Sequence, residues 1–127
     1  MQGMLLFAHG ARDPRWSEPF EQVAADLRLR RPGVPVALAY LEFMAPDMLQ
    51  AAQGLSDMGC RQVLVLPLFL GAGGHVRKDV PELVARIETA HPQVQWQLCP
   101  SIGQMPEFVR ALSEVAASLL PAGEPAP

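Results

Sequence analysis

The sequence predicts an α/β domain built on one four-stranded parallel sheet with helices covering both faces in three layers, for which the strand order 2-1-3-4 is taken. Three observations carry that reading. Short apolar runs alternate with longer segments of helical period along the 127 residues. Several of those runs are continuously apolar, as in strands buried on both faces. Prolines and glycines fall between the segments and punctuate them.

The elements follow in order. Residues 4–8 form a continuous apolar run and predict the first strand. Ser17 is placed to cap a helix in which Phe20, Val23, Ala24 and Leu27 recur at the spacing of one buried stripe, and Pro32 and Gly33 stop it. Residues 34–41 predict the second strand, with Val34, Val36, Leu38 and Tyr40 on one face and the small Ala37 and Ala39 on the other, where a helix approaches closely. Pro46 is expected in the first turn of the next helix and Gly59 at its C-terminal cap. Residues 62–70 are the most apolar segment and predict a central strand, with Pro67 marking where pairing ends or bulges. An open glycine turn over 71–74 precedes a helix expected from about Asp79 to Ala90. Val94, Trp96 and Leu98 alternate with Gln95 and Gln97, as on an edge strand with one wetter face. A last helix is expected from about Pro106 to Leu120. The result is four strands, each followed by a helix, which implies right-handed crossovers and a parallel sheet.

Bulk composition narrows the function. Half the residues are apolar and 18% charged, enough for one domain over residues 1–120 without disulfides or a structural metal. Residues 121–127 read as a flexible C-terminal tail. No apolar stretch reaches the roughly 18 residues of a membrane helix, and the first residues lack an export signal, so a cytoplasmic location is expected. A net charge of −3 argues against a nucleic-acid partner, which calls for a basic stripe. The two cysteines, Cys60 and Cys99, are far apart and read as small buried hydrophobes.

The chemistry concentrates at one edge of the predicted sheet. With order 2-1-3-4, the helices after strands one and three leave on opposite faces, and open α/β sheets place ligands in the crevice this creates. His9 follows strand one in Ala8-His9-Gly10-Ala11-Arg12-Asp13. His75 is expected in the loop after strand three, in Gly73-Gly74-His75-Val76-Arg77-Lys78. Glu42 closes strand two at the same edge. Two neutral imidazoles suit a borderline divalent ion such as Co²⁺, Ni²⁺ or Fe²⁺, and a carboxylate completes such a site or takes up a proton. His91, before Pro92 at a helix end, reads as structural. Met44, Met48 and Met105 lie near the same edge, placed either to line a flat apolar ligand or to fill core gaps.

Other chemistries lack their parts. Ala8 stands where phosphohistidine mutases and phosphatases place an arginine before His-Gly, so a phosphoryl-transfer histidine would lack its charge partner. The 71–74 glycines do not have P-loop spacing, and no G-x-S-x-G nucleophile elbow occurs. Arg12 and Arg15 follow His9, while Arg77 and Lys78 follow His75, which places four of the ten cations beside the two histidines. An anionic substrate is one reading of this; incidental surface pairs to Asp13 and Asp79 are the other.

With these residues in view, the chain resembles the short, single-domain sirohydrochlorin chelatases, class II chelatases that include the anaerobic cobalt chelatase of cobalamin synthesis. The resemblance runs over about residues 4–120. It is carried by His9-Gly-Ala-Arg-Asp-Pro14, by Tyr40-Leu-Glu-Phe-Met-Ala-Pro46 and above all by Val65-Leu-Pro-Leu-Phe-Leu-Gly-Ala-Gly-Gly-His-Val-Arg-Lys-Asp-Val-Pro81. It implies a chelatase variant of the flavodoxin-like sandwich, with His9 and His75 as metal-binding and catalytic residues, Glu42 assisting, and two copies paired as a homodimer. Ala11 replaces the serine that many relatives carry, which removes a hydroxyl contact. The histidine-rich stretch of some members is absent, so metal storage is not expected.

The expected activity is therefore insertion of Co²⁺ or Fe²⁺, or else Ni²⁺, into a tetrapyrrole of cobalamin or siroheme synthesis. Arg12, Arg15, Arg77 or Lys78 would hold the macrocycle's carboxylates. The metal is a substrate, and no organic cofactor is implied. Two rival classes remain: a metal or tetrapyrrole carrier that binds without accelerating insertion, and a flavodoxin-like interaction module whose histidines are incidental.

Overall fold

The computed structural model describes residues 1–71 and 73–123, with backbone alone at 74–76. Its four strands are β1 (Gln2–Ala8), β2 (Val36–Tyr40), β3 (Gln62–Pro67) and β4 (Gln95–Leu98). All pair in parallel, in the order β2-β1-β3-β4. The helices are α1 (Glu18–Arg30), α2 (Met48–Asp57), α3 (Gly74–Ala90) and α4 (Pro106–Ser118), with short 3-10 turns at Pro14–Ser17 and Ile102–Gln104. The fold class and strand order are those expected from the sequence. Of the expected tail, residues 124–127 lie outside the described residues.

Sequence and crossover hand together set which face each helix covers. The connections from β2 to β3 and from β3 to β4 run one way along the sheet, and that from β1 to β2 runs the other. Right-handed crossovers then put α2 and α3 on one face and α1 on the opposite face. The first face carries the main core: Leu5, Phe7, Val63, Val65 and Trp96 from the strands pack with Met48, Leu55, Val84 and Ile87. Ala37 and Ala39 lie on this side, and the alanine face of β2 meets α2 as expected. The α1 side is thinner, with Leu6, Ala24 and Val36 as its buried members.

Several local expectations need correction. Ser17 does not cap α1 with its side chain. It sits inside the preceding 3-10 turn, where its hydroxyl donates to the Pro14 carbonyl at 2.9 Å. Asp13 caps that turn instead, accepting from the Arg15 N–H. Of the predicted α1 stripe, Ala24 alone is buried, and Val23 stands half-exposed; among the described residues the main neighbours of α1 are β2 and the preceding 3-10 turn.

Pro46 stops one residue short of the α2 N-cap. That cap is Asp47, which accepts from the Gln50 N–H at 2.8 Å while Gln50 accepts from the Asp47 N–H at 2.9 Å. This reciprocal pair satisfies two backbone donors. Asp47→Ala is expected to cost about 1 kcal/mol of stability and Asp47→Asn much less, as measured by urea denaturation; equal stability of both variants and wild type would refute the cap. Gly59 follows the helix with φ +94 and ends it as expected.

β3 ends at Pro67 rather than Leu70, at the residue that has no N–H for the ladder. The larger correction concerns α3, which starts at Gly74, five residues before the expected Asp79, and carries Pro81 in its interior. In sequence, Pro81 looks like a first-turn residue because proline is favoured there. Two turns of helix instead precede it, so His75 belongs to the first turn of α3 and not to a loop.

His91 is buried at the end of α3, with its ring 6.0 Å from Trp96, and its carbonyl accepts from the indole N–H. It precedes β4 and so lies at the opposite end of the sheet from His9, in a structural role. Cys60 is buried, Cys99 is partly buried, and both are free. Burial pushes both thiols above their ordinary pKa, which disfavours the thiolate needed for ligation.

Candidate functional site

β1 ends at Ala8 and delivers His9 to the carboxyl edge of the sheet beside β2 and β3. The chain after β2 stays paired with β1 for two more residues: the Leu41 N–H donates to the Ala8 carbonyl at 3.0 Å and the Glu42 N–H to the His9 carbonyl at 3.1 Å. That register sets the two side chains together. His9 Nε2 lies 2.9 Å from Glu42 Oε1, with both side chains about half-exposed, at 46% and 49%.

Gly10 makes this approach possible. Its φ is +94, and a Cβ there would lie 1.9 Å from the Glu42 carbonyl oxygen. The position therefore demands glycine for conformation and for space. Below the imidazole, Phe69 presents its ring edge-on with centroids 6.4 Å apart, and Phe7 packs on Phe69 in turn. His9 thus has an apolar floor, a carboxylate partner and an open outer side.

The hydrogen bond has a chemical consequence. Carboxylate oxygen accepts, so Nε2–H donates, and in the neutral ring the lone pair then lies on Nδ1. A carboxylate on the other nitrogen is the usual second partner of a metal-binding histidine, fixing its tautomer and raising its basicity. Glu42 also stands ready to share a proton that arrives on the ring.

The remaining expected residues are distributed around this pair. The backbone of His75 lies in the first turn of α3, and its side chain is outside the described residues. Arg77 and Lys78 follow it, exposed, one turn into the helix. The Arg12 guanidinium lies over the Phe43 ring, 4.9 Å from its centroid. Arg15 makes an exposed ion pair with Asp13 at 2.8 Å, and its hydrogen bonds hold the Asp13 carboxyl below its ordinary pKa. Its charge is therefore locally compensated, as the bland reading of these cations requires. Met48 is a core residue, 2% exposed, and not a ligand-lining one; Met44 and Met105 are partly buried. Among the described residues, no three His, Cys, Asp or Glu side chains group as a ready metal cage.

Three residues were not singled out in the sequence: Gly10 as the seat of Glu42, Phe69 as the floor, and Phe43. Phe43 adopts φ +66 and stands exposed beside Glu42. Glycine directly after a strand-end histidine is a usable signal for the first. Nothing local marks the other two, because their roles depend on neighbours across the sheet.

Comparison with known proteins bears on the fold and the family. The curated relatives include a sirohydrochlorin cobaltochelatase of Methanocaldococcus jannaschii, 31% identical over 91 residues, which are 72% of this chain and 64% of that protein. The match thus spans less than two thirds of that relative's length. A crystal structure of a cobalamin (vitamin B12) biosynthesis CbiX protein from Marinobacter aquaeolei superimposes with a TM-score of 0.80 and 34% identity, covering 93% of this chain and 96% of that one. The sirohydrochlorin chelatase SirB from Bacillus subtilis subspecies spizizenii, in complex with cobalt, shares the fold with a TM-score of 0.79 and 21% identity, over 93% of this chain and 50% of its own. The sequence model of the CbiX family matches residues 3–119, and with that match, covering nearly every element described above, the chain belongs to the CbiX family.

Proposed function

We propose that this chain is a sirohydrochlorin chelatase that inserts a divalent metal ion, Co²⁺ or Fe²⁺, into a tetrapyrrole in cobalamin or siroheme synthesis. The observation that carries the reading is the His9–Glu42 pair at 2.9 Å, an oriented imidazole at the carboxyl edge of a parallel sheet. The relatives' names support the reaction and the substrate class.

In this mechanism His9 and His75 hold the incoming ion, with water in the remaining positions. His75 is proposed from its backbone place at the start of α3, directly after β3 and beside β1. Two histidines make an incomplete site, unlike the four-ligand sites that hold structural metals. The four macrocycle nitrogens can therefore draw the ion off. Insertion exchanges two pyrrole N–H protons for one divalent ion. Glu42, hydrogen-bonded to His9, takes one of those protons through the imidazole, and the second passes to His75 or to water. Metal and proton compete for the same nitrogen lone pairs, so acidification that protonates imidazole releases the ion.

Arg12, Arg77 and Lys78 are the proposed contacts for the macrocycle's carboxylates. Arg15 contributes less, because Asp13 already occupies its guanidinium. No organic cofactor enters this scheme. No described helix is long and apolar enough to cross a membrane, and free thiols such as Cys60 and Cys99 suit the reducing cytoplasm, where we place the reaction. Two copies working as a homodimer would supply the length of a two-domain chelatase, since this chain covers half of SirB.

The test is anaerobic incubation of the protein with sirohydrochlorin and Co²⁺, Fe²⁺ or Ni²⁺ in turn, following the pigment's absorption. Insertion faster than the protein-free rate is expected with at least one ion. Tight binding of metal and pigment with no acceleration would show a carrier instead, and no binding of either would show an interaction module.

A further inference from the structure

We propose that Phe43 is a positioning residue of the site: its ring holds the Arg12 guanidinium as a preformed grip for one peripheral carboxylate of the macrocycle. This role rests on the chelatase reading above and concerns how the same site recognises an ionised substrate rim.

The first observation is a backbone held where a phenylalanine is costly. Phe43 has φ +66, in the left-handed region that bulky side chains rarely enter. Hydrogen bonds on either side pin the turn. The Glu42 N–H donates to the His9 carbonyl at 3.1 Å, and the Tyr40 N–H donates to the Pro46 carbonyl at 2.9 Å, which closes the loop between them. Glycine fits such a position without cost. The strain serves no packing, because Phe43 is 57% exposed and belongs to neither core cluster. Strain kept at an exposed residue beside a reactive pair points to a use there.

The second observation is what the ring touches. The Arg12 guanidinium lies over it, 4.9 Å from the centroid, within the range of a cation–π contact. The two arginines that follow His9 differ in their partners. Arg15 is paired with Asp13, whereas among the described residues no carboxylate lies in ion-pair range of Arg12. Its planar fork of donors is therefore open to a substrate carboxylate, which it can grip at two points. An arginine free in water loses much of its rotamer freedom when it grips a ligand. The Phe43 ring removes part of that loss in advance.

The third observation is where the pair sits. Arg12 lies shortly after His9 in the chain, and Phe43 directly after Glu42. His9 and Glu42 bridge these two segments at 2.9 Å, and Arg12 and Phe43 bridge them a second time. The imidazole and the cation are thus set on one frame, in which Gly10 lets the two segments approach. A macrocycle whose central nitrogens meet the imidazole carries its carboxylates outward at the rim. A charged arm built on the same frame is in place to meet one of them, and a ring beneath that arm fixes its direction before the substrate arrives.

The test is anaerobic titration of the full chain with metal-free sirohydrochlorin, read by the pigment's absorption, beside the KM and kcat of insertion. Phe43→Leu is expected to weaken pigment binding and raise KM about 3- to 30-fold, the range of one cation–π contact, with kcat changed far less. Phe43→Tyr keeps a ring under the cation and should stay near wild type. Arg12→Gln should lose at least as much as Phe43→Leu, and adding Phe43→Leu to it should cost little more, since both changes break one grip. Phe43→Asn, whose side chain tolerates the left-handed backbone, should lose binding without lowering the thermal unfolding midpoint. Unchanged binding in Phe43→Leu, losses that add in the double variant, or a Phe43→Tyr protein as weak as Phe43→Leu would each overturn the positioning role. A midpoint that falls in Phe43→Asn would show that the ring serves packing and would overturn it equally. A wild-type chain that binds no sirohydrochlorin would sink this role and the chelatase reading together, whereas wild-type insertion with an unaffected Phe43→Leu variant would sink this role alone.

Discussion

His9→Ala is expected to lower the rate of metal insertion by roughly two to four orders of magnitude while leaving the thermal unfolding midpoint near that of wild type. The imidazole is about half-exposed and its hydrogen-bond partner among the described residues is an equally exposed carboxylate, so its removal opens no core cavity and strands no buried charge. His75→Ala is expected to match it under the proposed two-histidine mechanism, in which one nitrogen ligand alone does not hold the ion. Glu42→Gln keeps the shape and a hydrogen bond but loses the proton acceptor, and a drop of about 10- to 100-fold is expected, the usual size for the outer partner of a metal-binding histidine. Anaerobic insertion assays on the three variants, with isothermal titration of Co²⁺, check this. Wild-type rates in the His9 variant would remove the mechanism. A Glu42→Gln variant with unchanged rate would reduce that carboxylate to a surface partner.

The second large effect is expected at Gly10. Gly10→Ala puts a methyl group into the space of the Glu42 carbonyl oxygen, 1.9 Å away, at a backbone φ of +94. The left-handed backbone alone costs about 1–2 kcal/mol for a residue with a Cβ. Relief of the overlap adds a cost of about 1–3 kcal/mol. The obstacle is backbone rather than a flexible side chain, so relief requires the segment carrying Glu42 to move off β1. Stability and insertion should therefore fall together, unlike the His9 variant, where activity falls alone. Thermal denaturation read beside the insertion rate separates the two cases. A Gly10→Ala protein as stable and as active as wild type would show that Glu42 need not sit where it does.

The contrast between those variants reflects what is local in the sequence and what is not. Strand and helix periods are properties of neighbouring residues, and so β1, β2, β3 and β4 were legible from residues 4–8, 34–41, 62–70 and 94–98. The strand ends moved by a few residues, and Pro67 stopped β3 for a reason visible in its own chemistry. α3 starts at Gly74 and not at Asp79, because the glycines expected as an open turn lead directly into its first turn. Pro81 signals a first turn by statistics, yet a helix already packed through Val80 and Val84 tolerates one missing hydrogen bond. The α1 stripe was legible as apolar, but its burial depends on what packs beside it, and among the described residues the main neighbours of α1 are β2 and the preceding 3-10 turn.

By itself, the sequence determined the α/β class and the alternation of four strands with four helices, and it set His9 directly after the first strand and His75 after the third. Tertiary structure decided that Glu42 faces His9, that Gly10 must leave room for it, that Arg15 turns to Asp13, and that α4 buries none of its residues. Periodicity repeats every two or 3.6 residues and is written into adjacent side chains. Contact between residues 33 positions apart is set by strand register and loop path, which no short window of sequence contains.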